Sequence, residues 1–274
     1  MQNHQLLEWY MEAGVDEATS ETPTDYFAAP GAVARVELVT SEAAPAPVAV
    51  IVNATPLHHT PTAAMALARE WADKAGSLTE LEAMVRSFEG CGIKKTASKT
   101  VFSDGNPQAR VMIIGEAPGA QEDVQGIPFC GPSGKLLDLM LASIGLDRTS
   151  VYISNTVFWR PPGNRQPSLE ETQACLPFVE KHIALAKPDL LILSGGTSTT
   201  TLLKKDASIS RLRGKLYDYS NAYLSRPVPA MVTFHPSYLL RTPAQKRLAW
   251  HDLLIVKEYL DSYPAGADLQ ESAG

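Results

Sequence analysis

From residue 100 onward the chain alternates short unbroken apolar runs with longer stretches in which apolar positions recur every three or four residues. The runs are VMIIG (111–115), VYISN (151–155), LLILSG (190–195) and MVTFH (231–235). Short apolar runs rich in β-branched residues suit strands buried on both faces, and the stretches 133–145, 168–186, 197–204 and 243–261 carry helical spacing. That alternation predicts an α/β fold, with three α/β/α layers around a central four-stranded parallel sheet. Such sheets bind ligands beyond the carboxyl ends of their strands. Those ends deliver Gly115-Glu116, Asn155, Ser194-Gly195-Gly196 and His235-Pro236-Ser237.

The first third of the chain has a different texture. HQLLEWYMEAGVDE (4–17) places Leu6, Leu7, Trp9, Tyr10 and Ala13 at helical spacing with Gly14 as a stop, which predicts a short amphipathic helix that docks on another surface. From Thr22 to Pro61 the composition turns to Ala and Pro, predicting an irregular linker in which VAVIV (48–52) is either an added strand or an adhesive contact. Helical patterns follow at 61–75 and 78–89. The expected division is an N-terminal extension over 1–87, a catalytic domain over 88–262 and a tail over 263–274.

Composition alters this picture in two places. The net charge of −6 opposes nucleic-acid binding until it is divided along the chain. Residues 1–90 hold 4 Lys and Arg against 13 Asp and Glu, whereas residues 91–274 hold 20 against 17. The larger part is therefore mildly basic, and its bases fall in three loops: Arg160 with Arg165, then Arg211, Arg213 and Lys215, then Arg241, Lys246 and Arg247. Loops of that kind can follow a phosphate backbone. Cys91, Cys130 and Cys175 form no CxxC pair and are too few for an all-thiolate tetrahedral site, so they read as small buried thiols. The N-terminus lacks the basic and apolar series of a secretion signal, and no apolar run reaches the roughly 18 residues of a membrane span, which predicts a cytoplasmic protein without a membrane partner.

The glycine-rich turn GEAPGAQED (115–123) follows the first strand, where phosphate is commonly held. It has neither the GK[ST] ending of a P-loop nor the third glycine of a dinucleotide fold, and Glu116, Glu122 and Asp123 would repel phosphate. The turn suits a neutral or cationic species. A sugar losing its base is one, because it develops oxocarbenium character that a carboxylate stabilises. The departing base becomes an anion to which His235 can donate, Asn155 can read a base edge with one donor and one acceptor, and Phe129 offers a ring to stack on.

With GEAPGAQED, the GIPF before Cys130, the SN at 154–155, RPPGNRQPS (160–168) and FHPSYLLR (234–241), the chain resembles the family 4 uracil-DNA glycosylases in motif order and spacing over residues 88–260. The resemblance implies that Glu116 is the catalytic carboxylate, with Ala117 beside it in the pocket, and that His235 stabilises the leaving uracilate. It makes Phe129 the ring under flipped uracil and Asn155 the reader of its edge, while Glu122, with Asp123 sharing the duty, crowds C5 and excludes thymine. On the DNA side it assigns Ser237, Gly195 and Gly196 to flanking phosphates, Leu239 or alternatively Leu240 to an apolar wedge, and Arg241 and Arg165 to the backbone.

Two departures qualify the resemblance. The four cysteines of the family's iron-sulfur cluster fall here at Phe88, Cys91, Trp159 and Cys175, so the expectation is no cluster and no other cofactor or metal, with Phe88 and Trp159 filling the space. The loop PPGNRQP lacks the histidine-bearing insertion of a covalently trapping relative, so ordinary hydrolysis to an abasic site is expected. The implied partner is uracil-containing DNA bound by a monomer. Two other readings stay open at this point: a glycosylase for another deaminated base, and a DNA-binding module without catalysis.

Overall fold

The computed structural model describes residues 3–12 and 63–263. Its strands are β1 (Asp104–Gly105), β2 (Val111–Gly115), β3 (Val151–Asn155), β4 (Leu190–Ser194), β5 (Leu216–Tyr219) and β6 (Val228–Thr233). The described helices are α1 (Asn3–Glu12), α2 (Ala63–Lys74), α3 (Leu78–Ser87), α4 (Ala120–Gln125), α5 (Pro132–Ala142), α6 (Leu169–Ala186), α7 (Gly196–Leu203), α8 (Ile209–Leu212), α9 (Pro236–Arg241) and α10 (Lys246–Ser262). The expected linker, the VAVIV patch, residues 13–17 of the first helix and the tail beyond 263 lie outside the described residues.

The sheet has six strands in the order β1-β3-β2-β4-β6-β5. The four expected strands form its parallel centre, with Ile113 facing Ile153 on one side and Ile192 on the other. Two further strands that the apolar runs do not announce flank this centre, β1 antiparallel to β3 and β5 antiparallel to β6. Neither edge has the signature of a buried parallel strand: β1 is two residues long, and in β5 only Tyr219 is buried.

Strand alternation divides the core. Met112, Ile114, Leu191 and Leu193 face a layer with Leu81, Val85, Phe88 and Phe178, whereas Val111, Ile113, Leu190 and Ile192 face Leu137, Met140, Leu253 and Val256. The expected boundary at residue 87 does not coincide with a break in packing. Helices α2 and α3 pack on α6 and bury Ala68, Ala72, Leu81 and Val85 in the first layer. Helix α1 docks as its amphipathic pattern predicts: Trp9 is buried in the second layer, and Tyr10 donates to the Ser143 carbonyl at 3.1 Å. Among the described residues no helix is long and apolar enough to cross a membrane.

Chain order places the site. The connection from β2 to β3 runs to one side of β2, and the next strand, β4, lies on the other side. The crevice at this reversal lies between the end of β2, which carries Glu116, and the start of α7 after β4.

Candidate active site

A cleft of about 510 Å³ opens at these strand ends. Its lining includes Glu116, Ala117, Glu122, Phe129, Asn155, Arg165, Gly195, Gly196, His235, Ser237 and Arg241. Eleven of the residues assigned to the site from the sequence thus meet in one place, whereas Asp123, Leu239 and the alternative Leu240 are not part of its lining.

The floor depends on a glycine. A Cβ at Gly115 would stand 2.4 Å from Asn155 Oδ1 and 2.5 Å from the Phe129 ring, so only glycine lets these two groups meet over the end of β2. The register that pairs Gly115 with Asn155 fixes that approach. Phe129 adopts a left-handed backbone with φ of 52°. It is held there by Arg148, whose guanidinium donates to the Phe129 carbonyl and also to Asp104 at 2.6 Å and Asp138 at 2.8 Å. Sequence reasoning missed Arg148, because nothing near it in the chain announces a partner 19 residues away.

The buried Asn155 side chain ends in an oxygen without a hydrogen-bond partner. A buried acceptor left unpaired is costly, and in a cleft it points to a ligand with an N–H to offer. The Phe129 ring lies 5.3 Å from the His235 ring with 26° between their planes.

His235 caps α9. Its Nδ1 accepts from the Ser237 backbone N–H at 3.1 Å, with Ser237 Oγ at 2.8 Å from the same nitrogen. An Nδ1 that accepts a backbone N–H carries no proton, so the neutral ring has its hydrogen on Nε2. Burial, helped by the charge of Arg241, pushes the pKa down to about 4, which keeps the ring neutral at physiological pH. The hydroxyl and the backbone N–H of Ser237 both engage the histidine.

The two further carboxylates of the loop prove structural in their contacts. Glu122 Oε2 accepts from Gly119 N at 3.1 Å and Oε1 from Gly131 N at 2.8 Å, which ties together two stretches of the cleft wall. Asp123 is corrected as a site residue: its Oδ1 accepts from Ser98 N at 2.7 Å and Lys99 N at 3.2 Å, away from the cleft. Sharing one helix turn, the two side chains point to different neighbours.

The wedge is also corrected. Leu239 is 0% exposed and packs in the second core layer, whereas Leu240 is 44% exposed. On the short helix α9, adjacent residues face about 100° apart, so only one can face the core. Leu239→Ala is expected to destabilise the fold by about 2–5 kcal/mol. Leu240→Ala should leave the melting temperature unchanged and lower activity on duplex more than on single strands; equal losses on both would remove the wedge role. Among the basic loops, Arg165 is paired with Glu171 at 2.6 Å, and Arg213 is bonded to Asp252. Both are therefore engaged within the protein, whereas Arg241 lines the cleft.

Phe88 and Trp159, which the resemblance aligned with cluster cysteines, are buried, and Phe88 packs edge-on against Trp71 and Phe178. The Trp159 indole donates to Thr100 Oγ1 at 3.0 Å. The same core layer holds two thiols, with Cys175 donating to Cys91 across 3.9 Å. That hydrogen bond lowers the Cys91 pKa, and burial raises that of Cys175. Cys130 belongs to the Phe129 loop.

An α/β sheet with a carboxylate, a neutral histidine, an amide and an aromatic ring at its carboxyl edge defines a glycosidase-type site for a flat heterocycle. The sequence profile of the Uracil DNA glycosylase superfamily matches residues 102–254, and the chain belongs to that superfamily. It is 39% identical over 189 residues to the type-4 uracil-DNA glycosylase of Saccharolobus solfataricus, covering 67% of this chain and 87% of that protein. Similarity extends to the type-4 enzymes of Sulfurisphaera tokodaii, 34% identical over 66% of this chain and 84% of that one, and Thermotoga maritima, 35% over 64% and 91%.

Proposed function

We propose that the protein is a monofunctional uracil-DNA glycosylase that hydrolyses the N-glycosidic bond of flipped-out deoxyuridine and leaves an abasic site for base excision repair. The observation that carries this reading is the unpaired buried oxygen of Asn155 beside the Phe129 ring. Uracil supplies what that geometry lacks: an imide N–H for Oδ1, a carbonyl for the neighbouring amide N–H, and a face for the ring.

In the reaction, the bond between the anomeric carbon and the base nitrogen breaks heterolytically and its electron pair leaves with uracil. His235, neutral and protonated on Nε2, donates a hydrogen bond to the uracilate oxygen without transferring its proton. The Glu116 carboxylate faces the cationic sugar and orients the water whose oxygen then bonds to the anomeric carbon. Glu122, by tying Gly119 to Gly131, narrows the wall against which a thymine methyl would press. Arg241 and the amides of Gly195 and Gly196 face the flanking phosphates, and Leu240 fills the vacated stack.

A four-thiolate iron-sulfur cluster does not fit the residues present. Two thiols stand where four are required, and the remaining two positions hold packed aromatic side chains. We infer that apolar packing of Phe88 and Trp159 takes over the stapling of these loops, and no step of the reaction runs through a cluster.

The test is cleavage of a labelled oligonucleotide carrying one deoxyuridine, followed by alkali, beside thymine and hypoxanthine controls. Scission at uracil alone is expected. Scission at hypoxanthine instead would move the substrate to another deaminated base, and binding without scission would leave a DNA-binding module.

A further inference from the structure

Glu116 is not alone in the cleft. Its Oε2 accepts a hydrogen bond from Thr197 Oγ1 at 2.5 Å, and the same Oγ1 accepts from Gln166 Nε2 at 2.8 Å. Thr197 is the second residue of α7 and is 6% exposed, while Gln166 comes from the loop between β3 and α6. A hydroxyl has a single proton. With an amide N–H directed at its oxygen, that proton is left for the carboxylate, so the order runs from amide to hydroxyl to Oε2.

The neighbouring hydroxyls behave differently. Ser198 and Thr199 both bond back to the Gly195 carbonyl, at 3.0 and 2.8 Å, and Thr200 bonds to the Gly196 carbonyl at 3.1 Å. Bonding back to a preceding carbonyl is the usual arrangement for a hydroxyl within a helix. Thr197 alone of these four aims its hydroxyl across the cleft, 81 residues back along the chain. It does so at the reversal point of the sheet, where β2 and β4 bring the two loops together.

We propose that Thr197 is a positioning residue for Glu116, and that Gln166 sets the direction of its hydroxyl. By engaging Oε2 it fixes the rotation of the carboxylate and leaves Oε1 to meet the water and the cationic sugar. A hydrogen bond between a hydroxyl and a carboxylate oxygen belongs to the strong class. The proposal rests on Glu116 being the catalytic carboxylate.

Single-turnover and steady-state kinetics on a deoxyuridine oligonucleotide test it with Thr197→Val, Thr197→Ser and Gln166→Leu in the full chain. Val keeps the branch and removes the hydroxyl, so kcat should fall by about 10- to 100-fold with KM unchanged. Ser restores the hydroxyl and should recover most of the rate. Gln166→Leu should lower kcat by a smaller factor. In a Glu116→Gln background, Thr197→Val should add little, because residues that act as a unit are not additive. Wild-type kcat in Thr197→Val, or a raised KM at constant kcat, overturns the positioning role, as does a failure of Ser to rescue. Should Thr197→Val melt early, Gln166→Leu decides by the same split: unchanged kcat overturns the proposal. A wild-type chain that releases no uracil, or a Glu116→Gln variant that matches wild type, removes the underlying reading instead.

Discussion

Glu116→Gln is expected to slow uracil release by about 10²–10⁴-fold while the affinity for a uracil-containing strand stays within a few-fold of wild type. Glutamine is nearly isosteric, and its amide oxygen can still accept from Thr197 Oγ1. What disappears is the negative charge. That charge matters only once the sugar turns cationic, so the loss should appear in kcat and leave binding nearly untouched. Filter binding and single-turnover cleavage on the same oligonucleotide separate the two, and a variant that lost both equally would assign Glu116 to substrate binding.

His235→Ala should cost a comparable factor, about 10²–10³-fold, since it removes a positioned donor to the departing base. The pH dependence is more telling. With its pKa lowered to about 4, the histidine stays neutral across the working range, so no activity step is expected near the usual histidine pKa of about 6.5. A fall in rate centred there would mean that the ring titrates freely and would contradict the burial argument. Stability has a definite sign as well. A histidine neutral in the fold but protonated when unfolded makes the unfolded chain bind more protons, so stability declines as pH drops below about 6.5 towards the folded value. His182, buried against Phe102 with its pKa lowered to about 3, acts in the same direction. Melting curves of wild type, His235→Ala and His182→Asn between pH 7 and 5 check this: both variants should lose part of the slope.

Glu116, Asn155, Gly195, Gly196 and His235 are assigned to the cleft by the chain alone because each sits on or next to a strand end, and strand ends follow from apolar runs. Asn155 and Gly115 are the clearest instances, being the last residues of two runs whose parallel register puts them side by side. What the chain alone leaves open is direction. Glu122 and Asp123 are adjacent in one helix turn, yet one bridges two glycine amides of the cleft wall and the other anchors residues 98 and 99. Leu239 and Leu240 look alike in the chain, and only the packing of α9 on the second core layer distinguishes core from surface. Arg165 belongs to a basic loop and lines the cleft, but its guanidinium is held by Glu171.

The amino-acid sequence by itself determined the parallel centre of the sheet, the helical layers, the docking of the first helix and most of the membership of the cleft. These depend on hydrophobic periodicity and motif order, which are written along a single strand of text. Tertiary structure alone decided the two antiparallel edges, the tautomer of His235, the anchoring of Phe129 by Arg148 and the alignment of Thr197 with Glu116. Each of these is a choice of hydrogen-bond partner. Such a choice depends on which groups the fold brings within about 3 Å of each other, and local pattern carries no record of that.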